Sequence, residues 1–78
     1  MIGVTEGDLK PGIYRHFKGN LYRLWHVARH SETLEPMVVY QALYGDCEYW
    51  VRPAGMWTEQ VVHEGKKMPR FAWEQEAE

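Results

Sequence analysis

The 78-residue sequence contains a single cysteine, Cys47, so it cannot form an internal disulfide. Small secreted domains usually depend on several disulfides, and this composition therefore indicates a reducing compartment. Residues 1–8 contain no basic patch followed by an apolar core, which argues against a signal peptide. No apolar run reaches the roughly 20 residues that a membrane-spanning helix needs. We therefore expect a cytoplasmic protein with no membrane partner.

Acidic residues are absent from the stretch 10–30, which carries five basic residues. The stretch 31–64 reverses this balance, with six acidic residues and one basic residue, Arg52. With a net charge of −2, the chain is not strongly basic, as a general nucleic-acid-binding protein would be. A chain of this length supports one core. We predict a single domain over 1–78, with an ordered part from about residue 10 to 73 and an acidic tail over 74–78.

Turn-forming residues divide the chain into short segments that are rich in Val, Tyr, Trp and Phe, which favour strands. The predicted strands cover residues 12–17, 21–29, 37–44, 47–52, 56–62 and 68–73. No segment has the periodicity of a helix, and only a single 3₁₀ turn is expected where 53–55 interrupts the pattern. The sequence therefore predicts five or six strands joined by hairpins.

Two central segments alternate with period two and are apolar on both faces. In the first, one face is predicted to carry Tyr22, Leu24, His26 and Ala28. In the second, one face is predicted to carry Val38, Tyr40, Ala42 and Tyr44. Strands that are apolar on both faces are typical of the centre of a curled sheet. We predict an all-β fold, a small SH3-like, partly open antiparallel barrel, with an oligonucleotide-binding-type barrel as the second choice.

Four histidines raise the question of a metal site. His26 and His30 have the spacing of two ligands on a helix, but on a strand they would be roughly 13 Å apart, too far to share one zinc ion. Cys47 lies in a predicted turn and has no second cysteine beside it, which favours an inert thiol. We therefore predict no metal, no cofactor and no covalent catalytic residue.

Several segments have the composition of binding surfaces. The loop 29–36 joins two long strands and offers basic, hydroxyl and carboxylate groups, although these also serve to cap a turn. Aromatic and basic residues alternate over 14–18 and 22–26, as they do on surfaces that bind single-stranded nucleic acid. Trp50 and Arg52 share one face of a predicted strand, where they either brace the sheet or hold an anion.

Five ordered motifs carry a family resemblance: GIYRHFKG over 12–19, ARHSET over 28–33, VVYQALY over 38–44, WVRP over 50–53 and PRF over 69–71. Over roughly residues 11 to 72 the chain resembles the bacterial family called domain of unknown function 1653. The resemblance implies a compact bacterial cytoplasmic domain and brings no assigned activity, cofactor or substrate. The polar residues inside the motifs are the candidate binding residues: Arg15, His16, Arg29, His30, Glu32, Gln41 and Arg52, with Thr33 beside them.

We expect a binding module for a polar or anionic ligand, with RNA and phosphorylated metabolites as examples. A second hypothesis is a small enzyme that uses His16 or His30 as acid or base, with Glu32 as the orienting partner. A third is an interaction or assembly domain, which would act as a monomer or a weak homo-oligomer.

Overall fold

The structure is a computed structural model that describes residues 9–77. Seven strands and one short helix follow in the order β1 (Gly12–His16), β2 (Leu21–Arg29), β3 (Pro36–Ala42), β4 (Tyr49–Pro53), α1 (Ala54–Trp57), β5 (Gln60–His63), β6 (Lys66–Pro69) and β7 (Phe71–Gln75). Segment 1–8, on which the signal-peptide prediction rests, and Glu78 lie outside the described residues. No helix in the described part is long and apolar enough to cross a bilayer.

The strands form two antiparallel sheets. The larger has the order β4-β3-β2-β1-β7, and β5 and β6 form a separate hairpin. The all-β class and the open antiparallel arrangement are thus confirmed. The strand number differs, with seven strands instead of five or six, and the sheets do not close into a barrel.

The larger sheet has an inner face, which carries the hydrophobic core, and an outer face. Buried residues on the inner face come from alternate positions of β1, β2 and β3, as the period-two pattern predicts for Val38, Tyr40 and Ala42. The core cluster consists of Leu9, Tyr14, Leu24, Val38, Tyr40, Ala54, Trp57 and Phe71. One core therefore unites the strands of the larger sheet with the helix.

A β-bulge at Trp25 changes the orientation of the second half of β2. Leu24 pairs with Tyr40, but His26 pairs with Val39, so the register shifts by one residue between them. Val27 then packs against the core, and His26 is exposed. The prediction that His26 and Ala28 share the face of Leu24 was therefore wrong. Burial of Val27 in place of the imidazole is the physical reason, because only the apolar side chain is stabilised in the core.

The segment after β4 forms one α-helical turn, not the predicted 3₁₀ turn, and it replaces the first part of the strand predicted over 56–62. The Thr58 amide closes the turn by donating to the carbonyl of Ala54 at 3.2 Å. Positions three apart lie on the same side of a helix but on opposite faces of a strand. The helical turn therefore lets Ala54 and Trp57 enter the core together, with exposures of 0% and 1%.

Arg70 divides the predicted strand 68–73 into β6 and β7. Its amide donates to the carbonyl of Glu59 at 2.9 Å, and its carbonyl accepts from the amide of Phe17 at 2.9 Å. The two backbone groups of this one residue thus link the hairpin to the larger sheet. After this point β7 runs to Gln75, where Ile13 is its partner. Glu74 and Gln75, the first two residues of the predicted acidic tail, are thus part of β7.

We predict that Trp57→Ala lowers the free energy of unfolding by about 3–5 kcal/mol, since it removes a fully buried indole. The ring of Trp57 stacks on that of Phe71, with centroids 3.7 Å apart and planes inclined by 2°. Urea denaturation monitored by far-ultraviolet circular dichroism measures the change. Met56→Ala in the same helical turn is the matched control: its side chain is 44% exposed, so a change within about 0.5 kcal/mol is expected. Equal losses in the two variants would contradict the assigned core.

Candidate functional site

Aromatic and cationic side chains meet on the inner face beside the core. They come from β1, β2, β3, β4 and β7 and from the turn after β3. We call this group the tyrosine–arginine cluster, and it consists of His16, Tyr22, Tyr40, Tyr44, Arg52 and Phe71. The register explains the convergence, because Phe71 lies opposite His16 and Arg52 lies opposite the buried Val38.

Phe71 is the centre of the cluster. Its ring centroid lies 5.0 Å from that of His16 and 5.6 Å from that of Tyr22, both in edge-to-face geometry. The guanidinium carbon of Arg52 lies 5.6 Å from the same centroid, within the range of a cation–π contact. The imidazole and the guanidinium are thus held against one ring.

Three phenolic hydroxyls surround the cationic groups. The Tyr40 hydroxyl accepts a long hydrogen bond of 3.4 Å from Nε of Arg52. The hydroxyls of Tyr22 on β2 and Tyr44 after β3 hydrogen-bond to each other. Burial, together with this bond to Tyr44, raises the pKa of Tyr22 to about 12. The Tyr22 phenol therefore stays neutral at physiological pH, and the Tyr22–Tyr44 pair retains a hydroxyl proton that it can donate to an acceptor.

The cluster is electropositive and lacks an internal counter-ion. Among residues 9–77, neither His16 nor Arg52 forms an ion pair with a carboxylate. Burial lowers the pKa of His16, and the positive charges of Arg52, Arg70 and Lys18 lower it further. A half-buried guanidinium whose only hydrogen bond to residues 9–77 is long retains free donors for an acidic ligand.

Arg15 and Gln41, two of the predicted binding residues, face away from the cluster. Arg15 pairs with Glu74 on the outer face, with Nε and Oε2 2.9 Å apart. Gln41 accepts a hydrogen bond from the Trp25 indole at 3.0 Å and donates one to the carbonyl of Cys47 at 3.0 Å. Both side chains thus brace the sheet, and the structure does not bring them to His16 and Arg52.

The remaining predicted residues lie at the end of β2 and in the turn between β2 and β3. Nδ1 of His30 accepts from the amides of Glu32 and Thr33 at 3.1 and 3.4 Å, so this imidazole caps the turn. Arg29 donates to the carbonyl of Leu34 at 3.0 Å. No ion pair between the Glu32 carboxylate and a histidine occurs in the part of the chain that the structure describes. The pairing of Glu32 with a histidine that the acid–base hypothesis requires is therefore not formed among the described residues.

The described residues contain no group of three histidine, cysteine, aspartate or glutamate side chains arranged to hold a metal ion. Among the predicted binding residues in the described part of the chain, only His16 and Arg52 belong to the tyrosine–arginine cluster. Sequence reasoning missed the tyrosines and Phe71, which supply most of the cluster. The sequence did contain a signal for the tyrosines. A tyrosine at an inward strand position places a hydroxyl there that needs a hydrogen-bond partner, which a phenylalanine would not.

Comparison with known proteins places the chain in a family. A family model described as protein of unknown function (DUF1653) matches residues 12–73. The chain belongs to the DUF1653 family. A crystal structure of a DUF1653 protein from Bordetella bronchiseptica is similar to it at 36% sequence identity and a TM-score of 0.85, covering 95% of this chain and 97% of that one. None of the curated proteins matches the chain. The family predicted from the five motifs is confirmed.

We predict that His16 of this DUF1653 protein titrates below the ordinary value of 6.5 and that Arg52→Gln raises its pKa, because a nearby positive charge is removed. Two-dimensional NMR of the imidazole carbon-bound protons measures this pKa. Arg29→Gln is the matched control, since Arg29 caps the carbonyl of Leu34 outside the cluster and its removal should leave the pKa of His16 unchanged.

The same shift has a consequence for stability. The unfolded chain takes up the His16 proton at higher pH than the folded one, so this group reduces the free energy of unfolding as pH falls from 6.5 through the lowered pKa. Urea denaturation at several pH values should show a weaker pH dependence in His16→Gln over that range. A pKa of His16 at or above 6.5 would refute the assigned electrostatics.

Proposed function

We propose that this DUF1653 protein is a small binding module that holds an anionic ligand on the tyrosine–arginine cluster. The supporting observation is that Arg52 and His16 lie against one aromatic ring without a carboxylate partner among the described residues. A half-buried cation without a counter-ion costs desolvation energy, and an anionic ligand would offset that cost.

The chemistry of the surrounding groups favours a phosphate-bearing ligand. A guanidinium presents planar, paired donors that match phosphate oxygens, and it keeps its charge at all physiological pH values. The Tyr22–Tyr44 pair can supply a further hydroxyl donor to the same ligand. His16 is largely neutral at neutral pH because its pKa is lowered, and a bound anion would favour its protonation. Binding should therefore tighten as pH falls.

We further propose that the module works in the bacterial cytoplasm, as a monomer or a weak homo-oligomer. The single free cysteine, Cys47, supports a reducing compartment, and the similar crystal structure comes from a bacterium. No specific contact favours the acid–base alternative, since the described residues form no ion pair between Glu32 and a histidine.

We expect inorganic phosphate to shift the amide and side-chain NMR signals of Arg52, His16 and Tyr44, with weak affinity. Arg52→Gln should weaken binding about 10-fold or more, because charge-assisted hydrogen bonds contribute about 1.5–3 kcal/mol. Arg52→Lys should recover only part of the loss, since an ammonium lacks the paired donors. Titrations of the unmodified protein and of His16→Gln at pH 5.5 and 7.5 test the expected contribution of His16, because phosphate itself gains a proton in this range and only the difference between the two proteins reports the imidazole.

Arg15→Gln is the control for nonspecific charge effects. Arg15 lies on the outer face in an ion pair with Glu74, so its substitution should leave phosphate affinity unchanged. Equal weakening in the Arg15 and Arg52 variants would indicate diffuse attraction to a cationic surface and would overturn the proposed site. Absence of any signal change at Arg52 and His16 at high phosphate concentration would overturn it as well.

A further inference from the structure

Three side chains of different chemistry lie in a row on one face of β4 and of the residue that precedes it. The amide of Ala42 donates to the carbonyl of Glu48 at 3.0 Å, and Trp50 and Arg52 lie opposite Tyr40 and Val38. The partners on β3 all belong to the inner face, so Glu48, Trp50 and Arg52 share that face. Along this row a carboxylate, an indole and a guanidinium follow one another, and we call it the β4 row.

The middle of the β4 row is an exposed aromatic surface. Trp50 is 52% exposed, and it borders an open hollow of about 280 Å³. Tyr44, which is 45% exposed, and Glu48 also line this hollow. A large aromatic side chain that is exposed beside a hollow and a cation is the arrangement that stacks nucleobases in proteins that bind single strands.

The dimensions of the β4 row fit a nucleotide. With a strand rise of about 3.3 Å per residue, Trp50 is about 7 Å from Arg52 and Glu48 is about 13 Å from it. A phosphate bound to Arg52 would therefore sit one sugar's length from a base on Trp50. Repulsion between that phosphate and Glu48 would be small, because their separation exceeds the Debye length of about 8 Å at physiological ionic strength.

The carboxylate of Glu48, at one end of the β4 row, distinguishes between nucleobases. A carboxylate accepts hydrogen bonds only, and its two oxygens match two adjacent donors. On its pairing edge guanine presents two adjacent donors, N1–H and the N2 amino group, whereas adenine and cytosine present one amino group beside an acceptor nitrogen. Glu48, exposed at the rim of the hollow, therefore complements guanine best.

We propose that the anionic ligand of the tyrosine–arginine cluster is a guanosine 5′-phosphate, with its base stacked on Trp50 against Glu48 and its phosphate on Arg52. This inference rests on the proposed anion-binding function and adds the identity of the organic group. The ligand is either the free nucleotide or the 5′-phosphorylated end of an RNA strand, since both present the same chemistry.

Isothermal titration calorimetry and NMR with GMP, AMP, ribose 5-phosphate and inorganic phosphate test the inference on the full chain. GMP should bind about 10-fold more tightly than ribose 5-phosphate, since base stacking on an aromatic side chain has an effect of that order. GMP should also bind about 10-fold more tightly than AMP, which lacks the paired donors. The dinucleotide pGpU distinguishes the sources: tighter binding than GMP indicates an RNA end, and equal binding indicates the free nucleotide.

Four substitutions at three exposed positions separate the roles. Trp50→Ala should reduce GMP affinity to that of ribose 5-phosphate and leave inorganic phosphate binding unchanged, whereas Trp50→Phe should retain most of the GMP affinity. Glu48→Gln should abolish the preference for GMP over AMP. Tyr49→Ala is the matched control, because Tyr49 is 61% exposed on the same strand but faces the outer side, opposite Gln41.

Failure of this inference can be told apart from failure of the proposed function. If inorganic phosphate binds through Arg52 but GMP binds no more tightly than ribose 5-phosphate, the nucleotide assignment is wrong and the anion site stands. The same conclusion follows if Trp50→Ala and Tyr49→Ala have equal effects on GMP. If neither phosphate nor GMP binds, both proposals fail.

Discussion

The ring of Phe71 connects the hydrophobic core to the candidate site. One face of the ring stacks on Trp57, which brings α1 under the sheet, while His16 and Tyr22 contact it edge-on. The guanidinium of Arg52 lies near the same ring. The positions of the cationic groups therefore depend on packing in the core, and a change in the stack would move them. A binding site supported in this way gains rigidity from the fold itself.

The polar groups of the tyrosine–arginine cluster lie beside aromatic rings on the inner face. Tyr40 is almost fully buried, yet its hydroxyl reaches Arg52, and the hydroxyl of Tyr22 reaches Tyr44. Burial of a hydroxyl without a partner would cost free energy, and each of these phenols hydrogen-bonds to another side chain. Within the described residues, neither of these hydrogen bonds involves a carboxylate, and that of Tyr40 comes from a cation. This charge asymmetry distinguishes the inner face from the outer one, where Arg15 has a carboxylate partner.

Local pattern predicts much of this fold, and tertiary packing determines the rest. Alternation and turn residues predict the all-β class and the positions of β1 to β4, because backbone pairing and pleat act over a few residues. The bulge at Trp25 and the helical turn at Ala54–Trp57 depend on which side chain fills the core, which period two alone does not encode. His16 and Arg52 were predicted from sequence motifs, whereas the contributions of Phe71 and Tyr44 arise from contacts between distant segments.

The pairing of β1 with β7 joins segments from opposite ends of the described chain. Gly12 lies so close to this pairing that an added Cβ would come within 2.7 Å of the Gln75 carbonyl oxygen. During synthesis β1 leaves the ribosome long before β7, so its outer edge has no partner until the final strand emerges. Free strand edges recruit other chains. The nascent polypeptide therefore exposes an unpaired strand edge, and with it a risk of aggregation, until β7 is available to pair with β1.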